Sequence, residues 1–179
     1  MLINHTALSN SHSPLRLNVG FLIGQTIGYS REFPFDIARV VLSPDLEVTQ
    51  LTGVARLTRT PQSLLAQIKM QAFVTAECVR CLIHFQQPLA VDFTELYAFT
   101  KRAADEIELI LPEDGHIDLE PLVREYMLLE VPIKPLCKPE CKGLCPVCGG
   151  NLNEVTCNHG AAPVDSRLDA LRSLLDKKD

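Results

Sequence analysis

Apolar and polar residues alternate with a period of two through much of this 179-residue chain. That period is the mark of half-buried strands. From Leu15 to Phe35 the apolar positions Leu15, Leu17, Val19, Phe21 and Ile23 follow strand parity, interrupted by Gly20, Gly24 and Gly28. Residues 1–14 before it are polar, end at Pro14 and read as a loose lead. A second strand is predicted over Leu46 to Leu57, where Gly53 signals a bulge or a close backbone approach. The clearest strand runs from Leu65 to Ala76: Ile68, Met70, Ala72, Val74 and Ala76 share one face, against Gln67, Lys69, Gln71 and Thr75 on the other. It leads into Cys78-Val79-Arg80-Cys81. Beyond that, Leu89, Val91 and Phe93 restart the alternation, and Tyr97 and Phe99 continue it. Strand, CxxC turn and strand make a hairpin whose tip carries two thiols.

The period then changes. After a short strand at Glu106 to Leu111 and a Pro112-Glu113-Asp114-Gly115 turn, Asp118 caps a helix over 119–130. Leu119, Leu122, Val123, Tyr126 and Met127 fall at helical spacing, a stripe that must pack on a sheet. Pro132 and Pro135 end it. Pro163 and Asp165 open a last helix with Leu168, Leu171, Leu174 and Leu175 on one side. The predicted fold is α+β: an antiparallel β-rich core over 15–130 with one packed amphipathic helix. A cysteine-rich zinc-knuckle module over 131–160 and a helical tail over 161–179 follow.

Chemistry concentrates between Cys137 and His159, CKPECKGLCPVCGGNLNEVTCNH, five cysteines and a histidine in 23 residues. In Cys145-Pro146-Val147-Cys148-Gly149-Gly150 the proline sets a tight turn and the glycines supply positive φ after the second sulfur. Backbone amides of such a turn point at the thiolates and stabilise their charge. No basic, apolar leader opens the chain, and no stretch reaches the roughly 20 apolar residues of a membrane span. The expected setting is therefore a reducing compartment, where clustered cysteines bind metal in preference to forming disulfides. Zinc is the expected ion, with an iron–sulfur cluster as the alternative for four thiolates.

Seven cysteines and His159 make eight ligands, enough for two four-coordinate sites. One partition sets Cys145, Cys148, Cys157 and His159 on one ion and Cys78, Cys81, Cys137 and Cys141 on the other. A second pairs Cys78/Cys81 with Cys145/Cys148, as in a zinc ribbon, and leaves the remainder for the other ion. A third is a single ion on Cys137, Cys141, Cys145 and Cys148. Spacing alone leaves all three open.

Composition removes some functions. With 46% hydrophobic and 22% charged residues the chain is globular, and its net charge of −5 is no general footprint for nucleic acid. A local basic patch of Lys134, Lys138, Lys142 and Arg80 offers RNA contact, or else offsets the charge of a zinc–thiolate site. No phosphate-binding glycine loop and no HExxH pair is present, and the strand-bound CxxC lacks the helix N-terminus of a catalytic thiol. His84 reads as a solvated side chain, not a general base.

The order of the motifs points further. Asn18-Val19-Gly20-Phe21-Leu22, Leu51-Thr52-Gly53, Arg59-Thr60 and Glu77-Cys78-Val79-Arg80-Cys81-Leu82 resemble successive blocks of the YceD family, the large-ribosomal-RNA-subunit accumulation proteins. Cys141-Lys142-Gly143-Leu144-Cys145-Pro146-Val147-Cys148-Gly149 with Asn151-Leu152-Asn153 resembles that family's C-terminal cluster. Many members close the cluster with CxC where this chain has Cys157-Asn158-His159, a change compatible with ligation. The resemblance implies a non-enzymatic role in synthesis, processing or stability of large-subunit (23S) rRNA. It implies the pre-ribosomal large subunit as partner, through rRNA or through a ribosomal or processing protein, with no membrane partner. The implied place is the bacterial cytoplasm or, for a plastid homologue, the stroma. It carries over no catalytic residue. A redox- or zinc-responsive switch using the same cysteines is the competing expectation.

Overall fold

The structure is a computed structural model, and it describes residues 13–100 and 109–159. The chain divides into two compact units, Met1–Ala76 with Phe85–Pro135, and Glu77–His84 with Leu136–Asp179. In the first unit β1 (Arg16–Asn18) is followed by a one-turn helix α1 (Gly20–Ile23). Then come the long strands β2 (Ser30–Leu42), β3 (Leu46–Arg59), β4 (Ser63–Glu77) and β5 (His84–Ala98). The short β6 (Leu109–Ile110) and β7 (His116–Asp118) precede helix α2 (Glu120–Glu130). The main sheet has the order β2-β3-β4-β5-β6, and β1 pairs with β7 in a two-stranded sheet.

The alternation of β4 and β5 becomes a buried face. Ile68, Met70 and Ala72, with Leu89, Val91 and Phe93, lie in the core together with Leu51, Ala55 and Leu57 of β3. Against it α2 buries Val123 and Met127, each such side chain contributing about 1.5–3 kcal/mol. Tyr126 stacks on Phe93, ring centroids 3.9 Å apart and 7° from parallel, and its hydroxyl donates to Glu95 Oε1 at 2.8 Å. The helix begins one residue later than expected, with Leu119 and not Asp118 at the N-cap position and no side-chain cap there; Asp118, just before it, accepts the Glu120 N–H on its Oδ1 at 3.0 Å. Among the described residues no helix is long and apolar enough to cross a membrane.

Three details depart from the periodicity. The strand period read over Leu15 to Phe35, already interrupted at its glycines, gives way to a helical turn, because Val19 and Gly20 turn their N–H groups to the Gly115 carbonyl at 2.8 and 3.0 Å and the chain coils into α1. Strand β2, which runs on to Leu42, is the sheet edge; its weak alternation reflects half-buried Phe33, Phe35 and Ile37. Finally, β6 lies parallel to β5, Tyr97 opposite Leu109, so the sheet is mixed where an antiparallel one was expected. Side-chain alternation is the same for both directions and carries no information on that choice. The helix expected after Pro163 and residues 106–108 of the strand expected over Glu106 to Leu111 lie outside the described residues.

At Gly53 the β4 backbone leaves no room for a side chain on β3. A Cβ there would sit 2.2 Å from the Lys69 carbonyl oxygen and 2.7 Å from Met70 Cα. The register shifts by one residue between Thr49 and Thr52, with Gln50 at φ 52°, so the bulge and the close approach adjoin.

Candidate metal centre

The link between β4 and β5 is a knuckle. The Leu82 N–H donates to the Cys78 carbonyl and the Cys78 N–H to the Ile83 carbonyl, both at 2.9 Å, with Leu82 at φ 59°. The C-terminal segment repeats the arrangement. Gly149 N–H donates to the Cys145 carbonyl at 2.9 Å, Cys145 N–H to the Gly150 carbonyl at 2.8 Å, and Gly149 has φ 72°. Each turn curls its backbone around the first sulfur. A bridge between Leu144 and Asn151, and the Leu152 N–H on the Gly143 carbonyl at 2.9 Å, close the second knuckle into a small hairpin.

The second unit contains both knuckles. Leu144 N–H reaches the Arg80 carbonyl at 3.1 Å, and Arg80 Nη1 donates to the Cys141 carbonyl at 2.8 Å. Gly143, at φ 77°, lies where a Cβ would come 3.1 Å from that Arg80 oxygen. Arg80, placed in a basic surface patch on sequence, is exposed and also ties the two segments together through that bond.

This folding sorts the eight predicted ligands into two sets. Cys78, Cys81, Cys137 and Cys141 form one, and Cys145, Cys148, Cys157 and His159 the other; within each set one ligand atom per residue lies within 4.8 Å of every other. Sulfur separations are 3.8 Å for Cys78–Cys141 and 3.6 Å for both Cys81–Cys137 and Cys148–Cys157. Four sulfurs at about 2.3 Å from a tetrahedral ion are about 3.8 Å apart, so the donor sets fit a zinc-sized cation. The zinc-ribbon partition and the single-ion partition do not match the observed grouping. The first set is enclosed, with Cys78, Cys81 and Cys141 buried and Cys137 half-buried. In the second Cys145 is buried, Cys157 half-buried, and Cys148 and His159 face solvent.

Charge at the sulfurs is unevenly supported. Burial opposes ionisation of Cys78, but N–H groups of Cys137, Cys81 and Arg80 outweigh it and bring the thiol down to about 6. Cys137 is pushed up to about 12, by burial first and then by its cysteine neighbours. For Cys81 the Ile83 N–H favours the thiolate, yet burial and the Cys78 and Cys141 sulfurs prevail and raise it. In the second set the N–H groups of Cys148 and Val147 lower Cys145, whereas Cys148 and then burial raise Cys157 to about 11. Close-packed sulfurs cannot all be anions without a cation among them, and a divalent ion supplies that charge.

One contributor was missed on sequence. Asn153 Nδ2 donates to Cys141 Sγ at 3.4 Å and to Asn151 Oδ1 at 2.8 Å, and its Oδ1 accepts the Lys142 N–H at 3.0 Å. Together with burial, which acts the other way, this leaves the Cys141 thiol lowered. The signal was the Asn-Leu-Asn run after the second knuckle. His84, 3.8 Å from Glu77 and exposed like it, belongs to neither set.

The model of the family described as "Large ribosomal RNA subunit accumulation protein YceD" matches residues 66–175. The chain belongs to the YceD family. The matched span contains both knuckles of this YceD protein and all eight candidate ligands. An uncharacterized protein of Mycobacterium tuberculosis H37Rv is 36% identical over 98 residues, 52% of this chain and 47% of its own. The uncharacterized protein YlbN of Bacillus subtilis is 34% identical over 106 residues, 57% of this chain and 60% of its own. "Large ribosomal RNA subunit accumulation protein YCED homolog 1, chloroplastic" of Arabidopsis thaliana is 35% identical over 66 residues, 37% of this chain and 21% of its own. The chain spans about half the length of the first of these relatives. No solved structure matches it significantly.

Proposed function

We propose that this YceD protein is a non-enzymatic accessory factor in the accumulation of large-subunit (23S) rRNA, with two structural zinc ions in its second unit. The observation that carries the metal part is the sorting of eight ligands into two four-donor sets with tetrahedral sulfur spacing. Four protein ligands leave no open position for a water or a substrate, which is the arrangement of a site that holds structure. Cys78, Cys81, Cys137 and Cys141 would hold one ion; Cys145, Cys148, Cys157 and His159 the other. Each ion ties chain segments that have too little apolar surface to hold themselves together.

The rRNA part rests on the family. Its partner is the pre-ribosomal large subunit, and its place is the bacterial cytoplasm or the plastid stroma.

Deletion tests the assembly role. Mature large-subunit rRNA is expected to fall while small-subunit rRNA holds, with restoration by the wild-type gene. Unchanged large-subunit rRNA under several growth conditions would overturn it.

A further inference from the structure

We propose that the apolar tip of the first knuckle, Val79, Leu82 and Ile83, docks a protein surface that is apolar at its centre and basic at its rim. The protein so bound, and not RNA, is the direct partner of the second unit. The proposal deepens the assembly role above and rests on it only for where that partner resides.

Leu82 is the starting point. It occupies the position that Gly149 fills in the second knuckle, with the same backbone hydrogen bond to the first cysteine and the same left-handed φ, 59° against 72°. Glycine suits that conformation and a branched side chain strains it. Strain of this kind is ordinarily offset by packing, but the Leu82 side chain is 55% exposed. Val79 and Ile83 beside it are 51% and 41% exposed. Within six residues the chain shows three large aliphatic side chains to solvent, one of them at a backbone cost. Folding buries only about half of each of them, whereas an apolar contact with another molecule would cover the rest.

Charge selects the partner. Among the described residues of the second unit Arg80, Lys138 and Lys142 are matched in number by Glu77, Glu140 and Glu154. Zinc with four thiolates has a formal charge of −2, and zinc with three thiolates and a neutral histidine −1. Over its described residues the loaded unit is therefore anionic, and the Arg80 guanidinium is already engaged with the Cys141 carbonyl. A polyanion is repelled by such a surface. A cation-rimmed apolar protein surface complements it in both respects.

The test uses the zinc-loaded full chain in cells, with Val79→benzoylphenylalanine as the photo-crosslinking probe, with and without Leu82→Gly. Leu82→Gly deletes the side chain and relaxes the backbone, so the melting temperature and zinc content should hold or rise while partner contact falls. The expected result is one nuclease-resistant protein adduct, identified by mass spectrometry. Its purified partner should bind the Leu82→Gly protein about tenfold more weakly. Complex formation should weaken with salt, and a single-stranded RNA oligonucleotide should show no dependence on Leu82. An RNA adduct, a crosslinked dimer of this chain, an internal crosslink to residues 163–175, no adduct, or unchanged affinity on Leu82→Gly would each overturn the proposal. Ribosomal RNA in the same strains separates the two ideas. Deletion lowering large-subunit rRNA while Leu82→Gly does not would sink the docking site alone. A Leu82-dependent protein adduct in cells whose deletion leaves rRNA normal would sink the assembly role alone.

Discussion

Leu82 and Gly149 are structural equivalents: each is the left-handed residue that follows the second cysteine of a knuckle and returns its N–H to the first cysteine's carbonyl at 2.9 Å. The two positions should therefore respond in opposite ways to exchange. Gly149→Leu puts a branched side chain into that conformation, at a cost of about 1–2 kcal/mol. It should lower the denaturant midpoint of the zinc-loaded second unit, followed by zinc release. Leu82→Gly should be neutral or stabilising in the same assay. Equal destabilisation by both substitutions would contradict the equivalence.

The two ligand sets should part with metal in order. Cys148 and His159 face solvent, while Cys78, Cys81 and Cys141 are buried, so a chelator reaches the second set first. Chelation followed with a colorimetric zinc indicator should show two phases of one equivalent each. His159→Ala should abolish or greatly speed the fast phase and leave the slow one. A single phase releasing both ions together would count against independent centres.

Metal binding should also release protons. In the metal-free protein Cys137, raised to about 12, and Cys157, raised to about 11, keep their protons at neutral pH. Zinc must displace them, since the thiolate is the ligand. In the zinc-loaded fold the thiols lie below their unfolded pKa, so the stability that zinc adds is complete above the unfolded thiol pKa. It falls as pH drops toward the lowered values. Titration of zinc into weakly buffered protein should acidify the solution, and apparent affinity should decrease steadily from pH 8 to pH 5 (about 8.5 being the free thiol value). A pH-independent affinity would contradict it.

Gly53→Ala should disrupt the sheet without touching the metal. The new methyl would meet the Lys69 carbonyl oxygen at 2.2 Å, and backbone atoms on the adjacent strand cannot step aside. A loss of about 1–3 kcal/mol or more is expected, measured as a lower melting temperature with zinc stoichiometry retained. A loss below a few tenths of a kcal/mol would contradict so close an approach of the β4 backbone to Gly53.

Tyr97 provides a spectroscopic check on the core of the first unit. Burial first, then Glu95 and Asp118, push its phenol up from 10 to about 12. A raised acid makes no difference below the unfolded value and costs stability as pH rises from there through the folded value. Phenolate absorbance should show a late step near pH 12 that is missing from Tyr97→Phe, and the wild type should lose stability between pH 10 and 12. A full tyrosine titration near the ordinary value with the fold intact would refute it.

Local chemistry determined a good deal by itself. Period-two alternation located β3, β4 and β5, helical spacing located α2, and the cysteine spacings named all eight candidate ligands and both turns. Proline, glycine and side-chain period act over a few residues, so they are legible in a few residues. The tertiary structure decided what depends on contacts between distant segments. It set Cys78 beside Cys141 rather than Cys145, gave Arg80 the Cys141 carbonyl as a partner, and brought Asn153 onto a sulfur. It also laid β6 parallel to β5. Each depends on which chain segments meet, and a cysteine four residues from another carries no mark of which distant knuckle it will join.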